Sequence, residues 1–249
     1  MRLDEDTLNK VNRFIDIESY IYYLTRELKQ KSEFSLKELL ILAYIFYKGE
    51  NNISLKEIIS DILCKQSEIV QIIKSLAKKE YIEKSRNTSD ERRIYISVNS
   101  IQQELISNKI KFLDNIIFKF NLKNNYSSKS WVPNNSKELF SLYIHLLYLK
   151  DYLKNQFKLT FLDFTLLSRV LSKDKDALTL KDLIDSIRFM YPQVVRAINK
   201  LNEKDLLTKE RFLADERIVL VRTNKKQLDF AINIIKDISK ILNKKSFCF

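Results

Sequence analysis

Residues 54–98 read SLKEIISDILCKQSEIVQIIKSLAKKEYIEKSRNTSDERRIYISV. Within this stretch Ile69, Ile72, Ile73 and Leu76 recur at i, i+3, i+4 and i+7, which predicts a helix over 66–79 with one buried face. Upstream, Ser54 with Glu57 three residues later forms a capping-box pattern and opens a short helix ending near Leu63. Downstream come a short strand at 81–85, a charged turn holding Asp90-Glu91-Arg92, and a second strand at 93–98. Further out, Ser35 with Glu38 is another capping box, and its helix runs to about Lys48. A long amphipathic helix near 10–30 precedes it, with Phe14, Ile15, Ile17, Ile21, Leu24 and Leu28 at helical spacing. A long helix over about 100–120 closes the run.

The same pattern occurs a second time. Shifting the sequence by 125 places 34–98 on 159–223 without a gap, with about 15 of 65 positions identical. Asp90-Glu91-Arg92 then falls on Asp215-Glu216-Arg217, and SLKE at 54–57 on TLKD at 179–182. The second copy predicts helices near 136–156, from Thr160, from Thr179, over 191–204 and over 225–243, with strands at 206–210 and 218–222. Pro192 suits the first turn of its helix, where a missing N–H costs nothing. Between the copies lies NLKNNYSSKSWVPNNSK (121–137), rich in Asn and Ser, the one loop-like stretch. Trp131 within it is expected to pack back on a domain.

Two repeats are too few for a solenoid. Helix, helix, helix, strand, turn, strand is the order of a winged helix-turn-helix. The expected fold is therefore mainly α with small β-hairpin wings (α+β), in tandem domains at 1–120 and 136–249 joined by a linker at 121–135. The outer helices of each copy suit a dimerisation layer, so one chain would form a pseudo-dimer.

Composition narrows the function. The chain has 249 residues and a net charge of +12. Residues 1–125 carry 21 Lys and Arg against 18 Asp and Glu, and residues 126–249 carry 23 against 14. A basic chain suits an anionic partner, with nucleic acid first and a membrane surface second. A membrane-surface protein needs a basic helix face opposite a strong apolar one, whereas the cations here gather at the third helix and the wing. No apolar run is long enough to span a bilayer. The start, MRLDEDTLNKVNRF, lacks the pattern of a signal peptide, so a cytoplasmic protein is expected. A single glycine, Gly49, excludes phosphate and dinucleotide loops. Two distant cysteines, Cys64 and Cys248, and one histidine, His145, offer no metal spacing. No catalytic site, cofactor, metal or small-molecule substrate is expected.

The candidate site residues lie on two elements per copy. In the first, Gln66, Ser67, Gln71, Lys74 and Lys78 are outward on the 66–79 helix; in the second, Tyr191, Gln193, Arg196, Asn199 and Lys200 are outward on 191–204. Such faces have two readings: a solvated helix surface, or a recognition helix in the major groove, where Gln and Asn read adenine, Arg reads guanine and Lys meets phosphate. The place of this helix, third in the order both times, favours recognition. The wings contribute Lys84, Arg86, Asp90, Glu91, Arg92 and Arg93, then Lys209, Arg211, Asp215, Glu216 and Arg217. A wing arginine can enter a narrow minor groove of AT-rich DNA. The acids beside it repel phosphate and need another task. An Asp two residues before an Arg can accept hydrogen bonds from the turn backbone and the guanidinium, holding the Arg extended. Arg93 faces Ile218 in the second copy, a departure from the doubled arginine. Cys64 precedes the 66–79 helix and reads either as a small buried residue or as a thiol activated by the helix start.

With the duplicated K-x-R-x-x-x-D-E-R wings, nearly the whole chain resembles the SarA family of staphylococcal regulators, relatives of MarR-type winged helices, and its two-domain members in particular. KEIISDIL (56–63), IRFMYPQVVRAINKLN (187–202) and KERFLADERIVL (209–220) carry the likeness. The resemblance implies regulation of virulence-related genes, as repressor or activator, through AT-rich promoter sites on double-stranded DNA. It implies that Arg92 and Arg217 are wing grips, with Asp90 and Asp215 as acidic neighbours. The competing expectation is a winged-helix protein that binds and silences another regulator without reading DNA.

Overall fold

The computed structural model describes residues 4–62, 64–86, 93–126, 128–172, 177–187 and 189–244. The first copy follows the order α1 (Glu5–Lys31), α2 (Leu36–Lys48), β1 (Asn52–Ser54), α3 (Leu55–Ile62), α4 (Gln66–Lys78), β2 (Glu83–Arg86), β3 (Ile94–Ser97) and α5 (Ser100–Lys123). The second repeats it as α6 (Ser136–Phe157), α7 (Phe161–Ser172), β4 (Leu178–Thr179), α8 (Leu180–Ser186), α9 (Tyr191–Glu203), β5 (Thr208–Phe212), β6 (Asp215–Arg222) and α10 (Lys225–Lys244). The chain is mostly helical, with tandem winged helix-turn-helix modules.

The caps explain where the helices start. Ser35 Oγ accepts from the Glu38 amide while the Glu38 carboxylate accepts from the Ser35 amide at 2.7 Å. Thr160 with Asp163, and Thr179 with Asp182, repeat the reciprocal pair. α2 ends where Gly49 takes φ +68°, a left-handed position that suits glycine.

Each sheet is a three-stranded antiparallel ladder, ordered β1-β3-β2 and β4-β6-β5. The sequence reading missed β1 and β4. They span three and two residues, too few to show a period. The expected strand starts at 81 and 206 also move: Ile82, Leu206 and Leu207 are buried core residues ahead of β2 and β5.

The described residues form two compact units. One runs over 20–148; the other joins 4–19 to 149–244. In the first, Ile69, Ile73 and Leu76 of α4 are buried alongside Ile53, Ile58 and Ile96. Tyr20 closes one end. Its hydroxyl donates to Asn121 Oδ1 at 3.0 Å, and its ring lies 6.0 Å from that of Trp131. The Asn121 amide donates in turn to the Pro133 carbonyl at 2.8 Å, so the expected linker is bonded down within this unit.

In the other unit, Phe14 of α1 is fully buried, with ring centroids 5.0 Å from Phe161 and 5.7 Å from Phe164 of α7. The opening of α1 thus completes the core built around the second winged helix.

Candidate nucleic-acid interface

The face of α4 is set by its apolar stripe. Ile69, Ile73 and Leu76 point inward, which leaves Gln66, Ser67, Gln71, Lys74 and Lys78 exposed. Position along the fold is fixed by Glu38. This carboxylate, buried at the start of α2, accepts from Ser75 Oγ at 2.7 Å and from Lys79 Nζ at 3.0 Å. Burial pushes its pKa up, but the hydrogen bonds from Ser75, Ser35 and Lys79 outweigh it and hold the group below the usual carboxylate value. Glu68 pairs with Lys37 of α2.

In α9, Val194, Ala197, Ile198 and Leu201 are buried, and Tyr191, Gln193, Arg196 and Asn199 are exposed. Lys200, expected outward, keeps its side chain 37% exposed while its ammonium is engaged. It pairs with Asp163 of α7, which is 2% exposed in its side chain. The cause is burial: a carboxylate taken from water needs a cation, and Lys200 is the residue at the offset of Ser75. Asp163 and Glu38 occupy the same offset, so both copies use the third helical residue of the capped helix to hold α4 or α9.

The second wing departs from the expected turn. Asp215, Glu216 and Arg217 belong to β6, and the turn itself is only Leu213–Ala214. Arg211 pairs with Val219 and Phe212 with Asp215, so residues 216–218 stand outside the ladder as a bulge. A bulge re-aims side chains. Here it throws Arg217 outward, with its side chain 91% exposed. Asp215 then clamps it: Oδ1 accepts from the Arg217 amide at 3.1 Å and Nε at 3.0 Å, and Oδ2 accepts from Nη2 at 3.1 Å. The guanidinium holds the Asp215 carboxyl below its usual value, and Asp215 raises the arginine in return. The hydrogen bonding expected of an Asp two residues before an Arg is present here. The side chain of Glu216 lies outside the described part of the structure. Asp90, Glu91 and Arg92 also lie outside it.

Lys209 Nζ donates to Asn199 Oδ1 at 2.9 Å, and the Lys209 amide to Asn202 Oδ1 at 3.1 Å, which bonds β5 to α9. Arg211 is exposed on β5; Lys84 and Arg86 are exposed on β2, and Arg93 ahead of β3.

A concavity recurs beside α4 and beside α9. In the first copy about 520 Å³ is lined by Ser54, Lys56, Gln66, Arg93 and Tyr95. In the second about 500 Å³ is lined by Thr179, Lys181, Tyr191, Arg217 and Ile218. Lys56 and Lys181 escaped the sequence reading. Their signal was available, since both are lysine at the 125 offset. Cys64 is half-buried, and burial pushes its thiol up, which suits the small buried residue more than an activated thiol. Among the described residues no helix is long and apolar enough to cross a membrane.

The family model "Transcriptional regulator SarA/Rot" matches residues 23–109 and again 148–234. The chain belongs to the SarA/Rot family. Within it, the chain is 54% identical to the "HTH-type transcriptional regulator SarU" of Staphylococcus aureus (strain NCTC 8325 / PS 47), over 99% of this chain and 100% of that one. It is 30% identical to the "Transcriptional regulator SarA" of Staphylococcus aureus (strain Newman), over 43% of this chain and 86% of that one. Among solved structures it is similar to AbsC, a MarR family transcriptional regulator from Streptomyces coelicolor, at 16% identity and TM-score 0.36, covering 39% of this chain and 65% of that one.

Proposed function

We propose that the chain is a cytoplasmic, DNA-binding regulator of virulence-related genes that binds AT-rich promoter DNA as a single-chain pseudo-dimer. Its functional modules are 1–120 and 136–249, joined by 121–135. α4 and α9 enter successive major grooves, about 34 Å apart along B-DNA. Gln66, Ser67, Gln71, Lys74 and Lys78, with Tyr191, Gln193, Arg196 and Asn199, form the recognition faces; Lys200 positions α9 through Asp163. The wings reach flanking minor grooves through Arg92 and Arg217, supported by Lys84, Arg86, Arg93, Lys209 and Arg211. Covalent linkage raises the effective concentration of the second module at its half-site.

The observation that carries this reading is the clamped, solvent-facing Arg217 beside the exposed polar face of α9. A guanidinium already ordered by Asp215 loses less freedom when it enters a groove.

The test is fluorescence anisotropy on AT-rich duplexes of roughly 25 to 30 base pairs, comparing wild type with Arg92→Ala, Arg217→Ala and the double variant over a salt series. Support is one chain per site, steep salt dependence from counterion release, and a loss with each arginine. Weak, salt-insensitive binding untouched by either substitution overturns it and leaves the protein-silencing reading.

A further inference from the structure

The tip of the second wing carries an apolar knob that direct reading of bases and phosphates does not use. Leu213 is 100% exposed, Phe212 beside it 43% and Ile218 36%. A leucine wholly in water gains nothing from burial in the folded chain. Phe212 pairs with Asp215 across the two-residue turn, which places it and Leu213 at the very end of the hairpin. Exposed arginines flank the knob, Arg211 on one strand and Arg217 on the other. The first copy differs in sequence: Asn87 and Thr88 stand at the offsets of Phe212 and Leu213.

We propose that Phe212 and Leu213 form a wedge that enters the minor groove at a base step and kinks the DNA on the side of the half-site read by α9. This rests on the DNA-binding reading above. Three features favour a nucleic acid over an apolar groove on a protein. Cations sit on both sides of the apolar pair, matching the phosphate walls of a minor groove. That groove is about 6 Å wide, so only the narrow end of a hairpin can enter it. The wing is bonded to α9 through Lys209, so the tip is aimed by the same body that carries the recognition face. Apolar wedges unstack a step and bend the duplex away from the protein, and pyrimidine–purine steps such as TA give way most readily. AT-rich duplexes are well supplied with them. Because the first copy has Asn and Thr at these positions, one chain makes one kink, and the bend marks the orientation of the protein on its site.

The experiment uses the full chain and a set of AT-rich duplexes of about 30 base pairs. Each carries 2-aminopurine at a different TA step, with donor and acceptor dyes at its ends. Anisotropy on the same samples reports binding. Wild type is expected to brighten 2-aminopurine at one step near one end and to raise energy transfer. Leu213→Ser is expected to lose both signals while affinity falls by less than about tenfold. Thr88→Leu is expected to add a second bright step. Binding by wild type without brightening at any step overturns the wedge alone, as does brightening that survives Leu213→Ser. No binding by wild type to any duplex overturns the DNA-binding reading and the wedge with it.

Discussion

In the second copy Lys209 of β5 donates to Asn199 of α9, and its amide donates to Asn202. In the first copy the residues at the same offsets are Lys84, Lys74 and Ala77, and two ammonium groups and a methyl group cannot make those bonds. Inward, the copies agree. Glu38 takes Ser75 and Lys79, and Asp163 takes Lys200, each acid holding α4 or α9 from the capped helix before it. The acid that holds the third helix is common to the two copies, while the bonds on the outward face differ between them, with Gln71 and Lys74 at the offsets of Arg196 and Asn199.

The comparison breaks most visibly in the cores. Phe14→Ala should cost about 3–5 kcal/mol and act on the unit of the second winged helix. Hydrogen exchange should show protection lost in α7 and α9 ahead of α2 and α4; uniform loss would mean the two units unfold as one.

Next comes Glu38. Glu38→Ala removes a cap and strands Ser75 and Lys79, a loss of about 2 kcal/mol that thermal unfolding should register. The pH dependence has a definite sign. The folded pKa of Glu38 lies below its ordinary value, so its contribution is complete above that value and disappears as pH falls through the lowered one. Glu38→Gln should therefore flatten the acid limb of the unfolding curve measured from neutral pH downward.

Asp215→Asn frees the arginine without removing it. DNA affinity should fall by about three- to tenfold, less than for Arg217→Ala, when both are measured by anisotropy in one buffer. Asp215 is also depressed, so the clamp should persist at neutral pH and release as pH falls below the usual carboxylate range. Equal losses for the two variants would show that the guanidinium works only when clamped.

The smallest effect is expected from Asn199→Lys, which gives the second copy the lysine pair of the first. Amide exchange in β5 should rise by about two- to tenfold, in line with the loss of one exposed hydrogen bond. Exchange unchanged in β5 would show that the Lys209 amide bond to Asn202 suffices.

Most helices were legible because their signals are local. Capping boxes at Ser35, Thr160 and Thr179 mark starts, and the stripe from Ile69 to Leu76 marks a face. What escaped depends on partners far along the chain. β1 and β4 exist only because β3 and β6 supply a ladder edge. Lys200 is outward by spacing, yet its ammonium is drawn to Asp163, which lies 37 residues away. Asp215-Glu216-Arg217 looked like a turn by composition, yet pairing of Phe212 with Asp215 carries the ladder past the bulge and shortens the turn to two residues. The exposed polar faces of α4 and α9 and the Asp215–Arg217 geometry were legible. The concavities that add Lys56 and Lys181 were not, since a cleft is a property of three elements meeting.

Phe14 is made early and used late. It leaves the ribosome about 150 residues before Phe164, its ring partner in the finished core. At roughly 5–20 residues per second, that is an interval on the order of 10 to 30 s. By its end the first winged helix has all its own residues, while Val11 and Phe14 have until then had no finished core to enter. Vectorial synthesis therefore sets an order: residues 20–148 are all present before the core partners of Val11 and Phe14 are made.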